Sequence, residues 1–203
     1  YFDIVIGEYL NPTKLNIFDN LVYGIYALES NVKCYYSIFQ NSNPIILFGK
    51  SAAGIGINSE AIRGAFRLIV TPPFPFSNLR KNKFYDCHGA IRCVDIFELE
   101  ANRLEIRSTQ STPTKYSRGK FGIQLISNRF RSYNINDNAI YNISNAIELS
   151  TTYGAFGPFG NGQYAGPVNI NFNTIKPTVS GPITTQFVEN AIYLQNIITS
   201  PTG

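Results

Sequence analysis

Short apolar runs alternate with polar turn residues along the chain, and the alternation repeats. Three segments place an asparagine, a large apolar residue, an asparagine or aspartate, a small residue and an isoleucine at the same relative positions. They are Asn16-Ile17-Phe18-Asp19-Asn20 leading to Gly24-Ile25, Asn82-Lys83-Phe84-Tyr85-Asp86 leading to Ala90-Ile91, and Asn138-Ala139-Ile140-Tyr141-Asn142 leading to Ala146-Ile147. A partial copy runs from Phe48 to Gly54-Ile55, and a shortened one runs from Phe187 through Asn190 to Ala191-Ile192. Short strands repeated in this way predict stacked β-coils.

A second unit is interleaved with the first. Phe97–Leu104 resembles Ile123–Phe130, and Ile170–Ile175 is a looser relative. Asn102 and Asn128 hold equivalent positions in the first two, 26 residues apart, which fits the length of one coil.

Stacked coils bury their apolar side chains against each other, so like residues are expected above one another. The repeat predicts two apolar columns: Phe18 with Phe84 and Ile140, and Ile25 with Ile91 and Ile147.

Between these columns the chain must turn sharply, at a residue that tolerates the left-handed backbone conformation. Asn20, Asp86 and Asn142 hold this position. We predict that their side chains stack as a ladder and hydrogen-bond to neighbouring coils, satisfying backbone groups that the bend leaves open.

The segment Asn82–Ile91 and its relatives resemble the coils of pectate-lyase-like right-handed β-helix proteins. The resemblance covers most of the chain and lies in the pattern. It implies an all-β fold, a right-handed parallel β-helix solenoid with three parallel sheets. Segments rich in proline, glycine and polar residues, at 71–76, 108–120 and 154–166, are predicted as projecting loops because the repeat resumes after each. We expect residues 1–203 to form one β-helix domain, a segment of a longer chain.

Composition agrees with an all-β chain. Of its 203 residues 44% are hydrophobic, enough for a sizeable core, whereas the usual helix-forming mixture is thin. The formal charge of +4 is spread along the chain without a dense Lys/Arg run, and no apolar stretch approaches the roughly 20 residues that span a bilayer. We therefore expect no nucleic-acid partner and no membrane insertion. A secreted or cell-surface location is expected together with the solenoid fold. Cys34, Cys87 and Cys93 have neither disulfide-framework nor zinc-site spacing and are predicted to be buried.

Catalytic chemistry has little support in the sequence. The resemblance implies clustered Asp residues, Gly-His-Gly and Arg-Ile-Lys for a hydrolase, and His88-Gly89 is the nearest fragment. For a lyase it implies acidic calcium ligands and an Arg or Lys base. The densest set of carboxylates is interpreted as structural in preference to a metal site, with Glu98 and Glu100 solvated on the outer face: Asp86, Asp95, Glu98, Glu100 and Glu105. We expect no catalytic residue and no cofactor, with calcium only if the chain is a lyase. The residues to test first for activity are Asp86, His88, Arg103, Arg129 and Arg131.

Binding residues are predicted on two surfaces. Tyr85 and Tyr141 hold equivalent outward positions, where a tyrosine ring suits the C–H face of a sugar or simply suits a strand. Arg103, Arg129 and Arg131 with Tyr133 form a predicted basic stripe for an acidic glycan. The alternative is a cross-strand ion pair between Glu105 and Arg131.

The function expected from the sequence is that of a non-catalytic extracellular solenoid segment. Such a segment of an adhesin, surface or fibre component would act as a rigid spacer and bind a glycan or a surface protein. Two alternatives remain: a polysaccharide lyase or glycoside hydrolase acting on an acidic glycan, and a cargo module for a secretion or filament apparatus. Further coils of the same or a neighbouring chain are expected to stack on this one.

Overall fold

Three parallel sheets of six strands each form the walls of a right-handed parallel β-helix in the computed structural model of this protein. The structure describes residues 2–8, 14–42, 45–47, 50–52, 54–61, 66–71, 81–109, 119–126, 132–150, 168–177 and 188–195. The chain visits the first, second and third sheets in the same order six times, which makes six coils. The predicted fold class is therefore confirmed.

Each coil contributes one strand to each wall. The first sheet contains β1 (Asp3–Ile6), β4 (Asn31–Cys34), β9 (Arg67–Ile69), β12 (Glu98–Glu100), β15 (Ser132–Asn136) and β18 (Val168–Asn171). The second contains β2 (Asn16–Asp19), β5 (Ser37–Gln40), β10 (Lys83–Tyr85), β13 (Glu105–Arg107), β16 (Ala139–Tyr141) and β19 (Thr174–Lys176). The third contains β3 (Tyr23–Leu28), β8 (Ile55–Glu60), β11 (Gly89–Val94), β14 (Phe121–Ile126), β17 (Asn145–Ser150) and β20 (Asn190–Gln195). A two-stranded antiparallel hairpin, β6 (Ile45–Leu47) and β7 (Lys50–Ala52), is inserted in the second coil.

Both predicted apolar columns are present and longer than the sequence indicated. The column on the second sheet is Phe18, Phe39, Phe84, Ile106, Ile140 and Ile175. The column on the third sheet is Ile25, Ile57, Ile91, Ile123, Ile147 and Ile192. The rings of Phe18 and Phe39 stack with centroids 4.7 Å apart, and those of Phe39 and Phe84 with centroids 4.9 Å apart. The alternating pattern thus directs every second side chain of a strand into a continuous core.

The partial copy that begins at Phe48 has a different alignment in the structure. Phe39 occupies the aromatic column, and Ile57, two residues beyond Ile55, occupies the isoleucine column. The β6–β7 hairpin lies between these two positions and lengthens this coil, which shifts the apparent repeat. Phe48 and Phe187 lie outside the described residues.

The two similar segments of the interleaved second unit lie in different sheets, so they do not stack on each other. Glu98–Glu100 pairs with residues 132–134 of the first sheet, whereas Ile123 belongs to the third sheet. Glu105 therefore lies between Lys83 and Ala139, away from the strand that follows residue 131. Strands of all three walls share the same period-two alternation, so their sequences look alike without being neighbours.

The turn after the second sheet contains the residues predicted to form a ladder. Asn20, Asp86 and Asn142 have φ values of 55°, 53° and 53°, in the left-handed region. The Asp86 carboxylate accepts hydrogen bonds from the backbone and the hydroxyl of Thr109 at 2.6 and 2.8 Å. The side-chain amide of Asn142 donates to the carbonyl of Ser108 at 3.1 Å. Both contacts join consecutive coils and occupy backbone groups at the bend.

A second, buried asparagine ladder lies at the corner between the first and second sheets. Asn82 and Asn138 are 0% and 1% exposed, and Asn173 extends their column. Each side chain accepts a backbone N–H and donates to a backbone carbonyl of the preceding coil. Asn16, Asn82 and Asn138 were recognised from the sequence as a repeated position, but the buried hydrogen bonds arise only from the stacking.

Phe172 lies in a left-handed turn that a bulky side chain disfavours. Its φ is 56° and its side chain is 88% exposed, so its ring contributes little burial. Asparagine tolerates this conformation better than phenylalanine does. Phe172→Asn is expected to raise the free energy of unfolding by about 0.5–1 kcal/mol, which corresponds to an increase in Tm of about 1–4 °C. Thermal unfolding followed by circular dichroism measures this change, and a decrease in Tm would contradict it.

Candidate binding surface

The outer face of the second sheet carries two rows of side chains that point away from the core. The row nearer the ends of the strands is Asp19, Gln40, Tyr85, Arg107, Tyr141 and Lys176. Its last four members alternate tyrosine with a basic residue, and we call them the tyrosine–cation row. Neighbours in the row are one strand apart, about 4.8 Å, so like residues recur about every 10 Å along the solenoid axis.

Contacts with neighbouring side chains hold Tyr85 in place. Its hydroxyl donates a hydrogen bond to Oε1 of Glu105 at 2.8 Å, and Nζ of Lys83 lies 5.8 Å from the ring centroid. Burial raises the pKa of Tyr85 above its ordinary value, and the Glu105 carboxylate raises it further. The hydroxyl therefore stays protonated at physiological pH and keeps its role as donor. The aromatic ring is preorganised.

Arg107 and Lys176 supply exposed positive charge to this row. Both are exposed, and neither forms an ion pair within the described part of the chain. Other basic side chains are paired with carboxylates: Lys33 and Arg67 with Asp3, and Arg92 with Glu60. Tyr141 is half-buried between Arg107 and Lys176. The row thus presents two cations and two tyrosines to solvent in a straight line.

Of the candidate catalytic residues that the structure describes, Asp86 and His88 lie near each other and Arg103 lies apart from them. Asp86 and His88 follow β10, whereas Arg103 precedes β13, so they lie at opposite ends of paired strands. The Arg103 guanidinium lies 3.6 Å from the Asp137 carboxylate. His88 is 8% exposed, and its ring lies perpendicular to that of Phe121 with the ring centroids 5.9 Å apart.

Tyr133 requires a correction. It is 1% exposed, and its hydroxyl donates to the carbonyl of Ile96 at 2.6 Å. Tyr133 pairs with Leu99 in the inward register of the first sheet, so it belongs to the core instead of the predicted basic stripe. The one-residue alternation of the strand decides this, since Ser132 and Asn134 point outward. Of the other members of that stripe, Arg103 lies beside Asp137, and Arg129 and Arg131 fall outside the portion that the structure describes.

The acidic residues are distributed over different walls. Glu98 and Glu100 lie on the first sheet, Glu105 lies on the second, and Asp95 occupies a turn after the third. Within the described ranges, no group of three or more His, Cys, Asp or Glu side chains could hold a metal ion. No described helix is long and apolar enough to cross a membrane.

The three cysteines are buried free thiols. Burial raises the pKa of Cys34 and of Cys93, so both thiols stay protonated and unreactive near neutral pH.

The sequence pattern did not predict Arg107 and Lys176 as binding residues, because their coils are degenerate copies of the repeat. Leu104-Glu105-Ile106-Arg107-Ser108 is the structural equivalent of Asn82-Lys83-Phe84-Tyr85-Asp86. Leucine replaces the ladder asparagine and serine replaces the turn aspartate, which hides the copy. The alternation of Glu105, Ile106 and Arg107 was the signal that remained.

Comparisons of the chain with models of protein families, with curated proteins and with solved structures find no match.

Proposed function

We propose that this chain is a non-catalytic, secreted or surface-displayed β-helix segment that binds an acidic polysaccharide along the tyrosine–cation row. The observation that carries the proposal is the alignment of Tyr85, Arg107, Tyr141 and Lys176 on one flat outer face. The stacked core beneath this face makes it rigid, which suits a spacer as well as a binding surface.

The chemistry of the row favours a ligand with both sugar faces and negative charge. Tyrosine rings pack against the apolar C–H side of a pyranose, and arginine and lysine form charge-assisted hydrogen bonds with carboxylates or sulfates. Tyrosines and cations alternate along the row. A glycan chain lying parallel to the solenoid axis would therefore place an uncharged sugar ring on each tyrosine and an anionic sugar ring next to each cation. A glycan with an alternating disaccharide repeat fits this arrangement best.

We also propose that the coil pattern reflects kinship with pectate-lyase-like β-helices. Support comes from the three walls and from left-handed residues at the turn after each of them, such as Asn20, Glu29 and Tyr36. This kinship does not require activity, since Arg103 lies at the opposite end of the paired strands from Asp86 and His88.

Binding to immobilised acidic glycans tests the proposal. Arg107→Ala is expected to weaken binding about tenfold, and Tyr141→Ala about three- to tenfold, since each removes one charged or stacking contact. Added salt should weaken binding of the wild type more than that of Arg107→Ala. Salt screens the Arg107 charge in the wild type, and the variant lacks that charge. Biolayer interferometry with uronate-containing, sulfated and neutral glycans measures these changes.

Tyr26→Ala is the matched control, because Tyr26 is an outward tyrosine, 50% exposed, on the third sheet. It should bind like the wild type. Equal affinity of the row variants and the wild type, or no affinity for any acidic glycan, would refute the binding surface. New unsaturated or reducing ends, with or without calcium, would refute the non-catalytic assignment.

A further inference from the structure

A carboxylate lies beside the tyrosine–cation row, on the same outer face and in the middle of the coil stack. Strands β10, β13 and β16 each point their first and last side chains outward, and the first ones are Lys83, Glu105 and Ala139. Glu105 is the one acidic residue among the outward side chains of these three strands, and it precedes Arg107 by two positions. The surface proposed to bind an anionic glycan therefore carries a negative charge at its centre.

Both oxygens of the Glu105 carboxylate face a neighbouring side chain. Oε1 accepts a hydrogen bond from the Tyr85 hydroxyl at 2.8 Å, and Oε2 lies 3.9 Å from Nζ of Lys83. Lys83 and Glu105 thus balance each other's charge, which leaves Arg107 as the unpaired cation of these strands. The Glu105 side chain is 29% exposed, so a ligand on this face meets the carboxylate next to the Tyr85 ring.

The hydrogen bond to Glu105 decides what the Tyr85 hydroxyl can offer a ligand. A tyrosine hydroxyl has one proton, and because Glu105 accepts it, only the lone pairs of the Tyr85 oxygen remain. Burial and this carboxylate raise the pKa of Tyr85, which keeps the proton on the hydroxyl at neutral pH. The oxygen can therefore accept from a sugar hydroxyl, but it cannot donate to a sugar carboxylate. An anionic sugar at Tyr85 would meet lone pairs and a second carboxylate.

Tyr141 has no such carboxylate beside it. Ala139 holds the place equivalent to Glu105, two positions before Tyr141, and its methyl group has neither charge nor hydrogen-bonding atoms. The exclusion of an anionic sugar is therefore confined to Tyr85. Arg107 lies one strand further along the row, where a negative charge is favoured. This difference sets the register of a bound glycan, with an uncharged ring at Tyr85 and an anionic ring next to Arg107.

We propose that Glu105 is a specificity-determining residue of the tyrosine–cation row. It excludes an anionic sugar from Tyr85, so the row selects acidic glycans that are charged on every second ring over acidic glycans that are charged on every ring. Like charges placed against each other across an interface reject a wrong ligand more than they weaken the right one. Glu105 also positions the Tyr85 ring through its hydroxyl. This inference rests on the proposed glycan-binding function.

Glu105→Gln tests the selectivity, because it removes the charge and keeps an oxygen that can accept from Tyr85. Biolayer interferometry at fixed salt compares two probes of equal length: hyaluronan oligosaccharides, in which uronate and uncharged rings alternate, and oligogalacturonates, in which every ring is a uronate. We expect the wild type to bind the alternating probe about three- to tenfold more tightly, and Glu105→Gln to bring the two affinities within about twofold. An unchanged ratio of affinities in Glu105→Gln would overturn the inference.

Two further variants separate the charge of Glu105 from its structural contacts and from net charge. Glu105→Asp keeps the charge on a shorter side chain, so the preference should stay within about twofold of the wild type. Glu100→Gln makes the same change of net charge on the first sheet and should leave the preference unchanged. Loss of the preference in either variant would overturn the inference.

The wild type distinguishes the two proposals. If it binds both probes equally, the role of Glu105 is refuted and the proposed function stands. If it binds neither these probes nor any other acidic glycan, both are refuted.

Discussion

Phe84→Ala is expected to lower the free energy of unfolding by about 3–5 kcal/mol. Phe84 is 1% exposed and stacks on Phe39, and its ring lies over Gly56, where an added Cβ would be 2.7 Å from a ring carbon. Neither neighbour can fill the space, since Gly56 has no side chain and the adjacent coils are fixed by their strand pairing. Urea unfolding followed by circular dichroism and tyrosine fluorescence measures the loss.

Phe18→Ala is the matched control for this column. Phe18 stacks on Phe39 in the same way, but it lies in the end coil and is more exposed than Phe84. Because Phe18 is less buried than Phe84 and stacks on a ring on one side only, Phe18→Ala should lower the free energy of unfolding by about half as much as Phe84→Ala, or less. Similar losses for the two variants would contradict the stacking order.

Asn82→Ala should lower the free energy of unfolding by about 3–5 kcal/mol, as much as the removal of a core aromatic ring. The Asn82 side chain is 0% exposed, accepts from the backbone N–H of Ser37 at 2.8 Å, and donates to the carbonyls of Cys34 and Val70 at 2.9 and 3.3 Å. Alanine leaves these three backbone groups buried without a partner, which costs their full desolvation. The same urea titrations measure this change.

Asn169→Ala isolates the effect of burial. The Asn169 amide also donates to a stacked asparagine, Asn134, at 2.9 Å, but on the exposed outer face. Water replaces the lost bond there, so the change should stay within about 0.5 kcal/mol. A loss from Asn82→Ala no larger than that from Asn169→Ala would show that water reaches the inner ladder.

Stability and binding use opposite sides of the same strands. In β16, Ile140 points into the core while Tyr141 points outward. Variants of the tyrosine–cation row can therefore test binding with little effect on folding, because period-two alternation separates the two sets of side chains. The Phe84 and Asn82 variants test the solenoid itself.

Much of the fold could be predicted because each coil repeats the same local chemistry. The positions of Phe18, Phe84 and Ile140 indicated a shared column, and the left-handed turn residues after them are of the types that such turns favour. Degenerate copies were missed where leucine or serine replaces the asparagine or aspartate. Tyr133 was misplaced because a one-residue error in alternation exchanges the inner and outer faces of a strand.

By itself, the sequence determined the strand alternation and the turn positions, because those features depend on residues close together in the chain. Its repeat also indicated three members of each apolar column, since equivalent positions of different coils carry like residues. Only the tertiary structure decided which strand lies in which wall and which outward residues become neighbours. Tyr85, Arg107 and Tyr141 come together through hydrogen bonds between successive coils, and loops and a hairpin make those coils unequal in length. Unequal coils remove any fixed spacing that the sequence could reveal, so the binding row exists only once the strands have stacked.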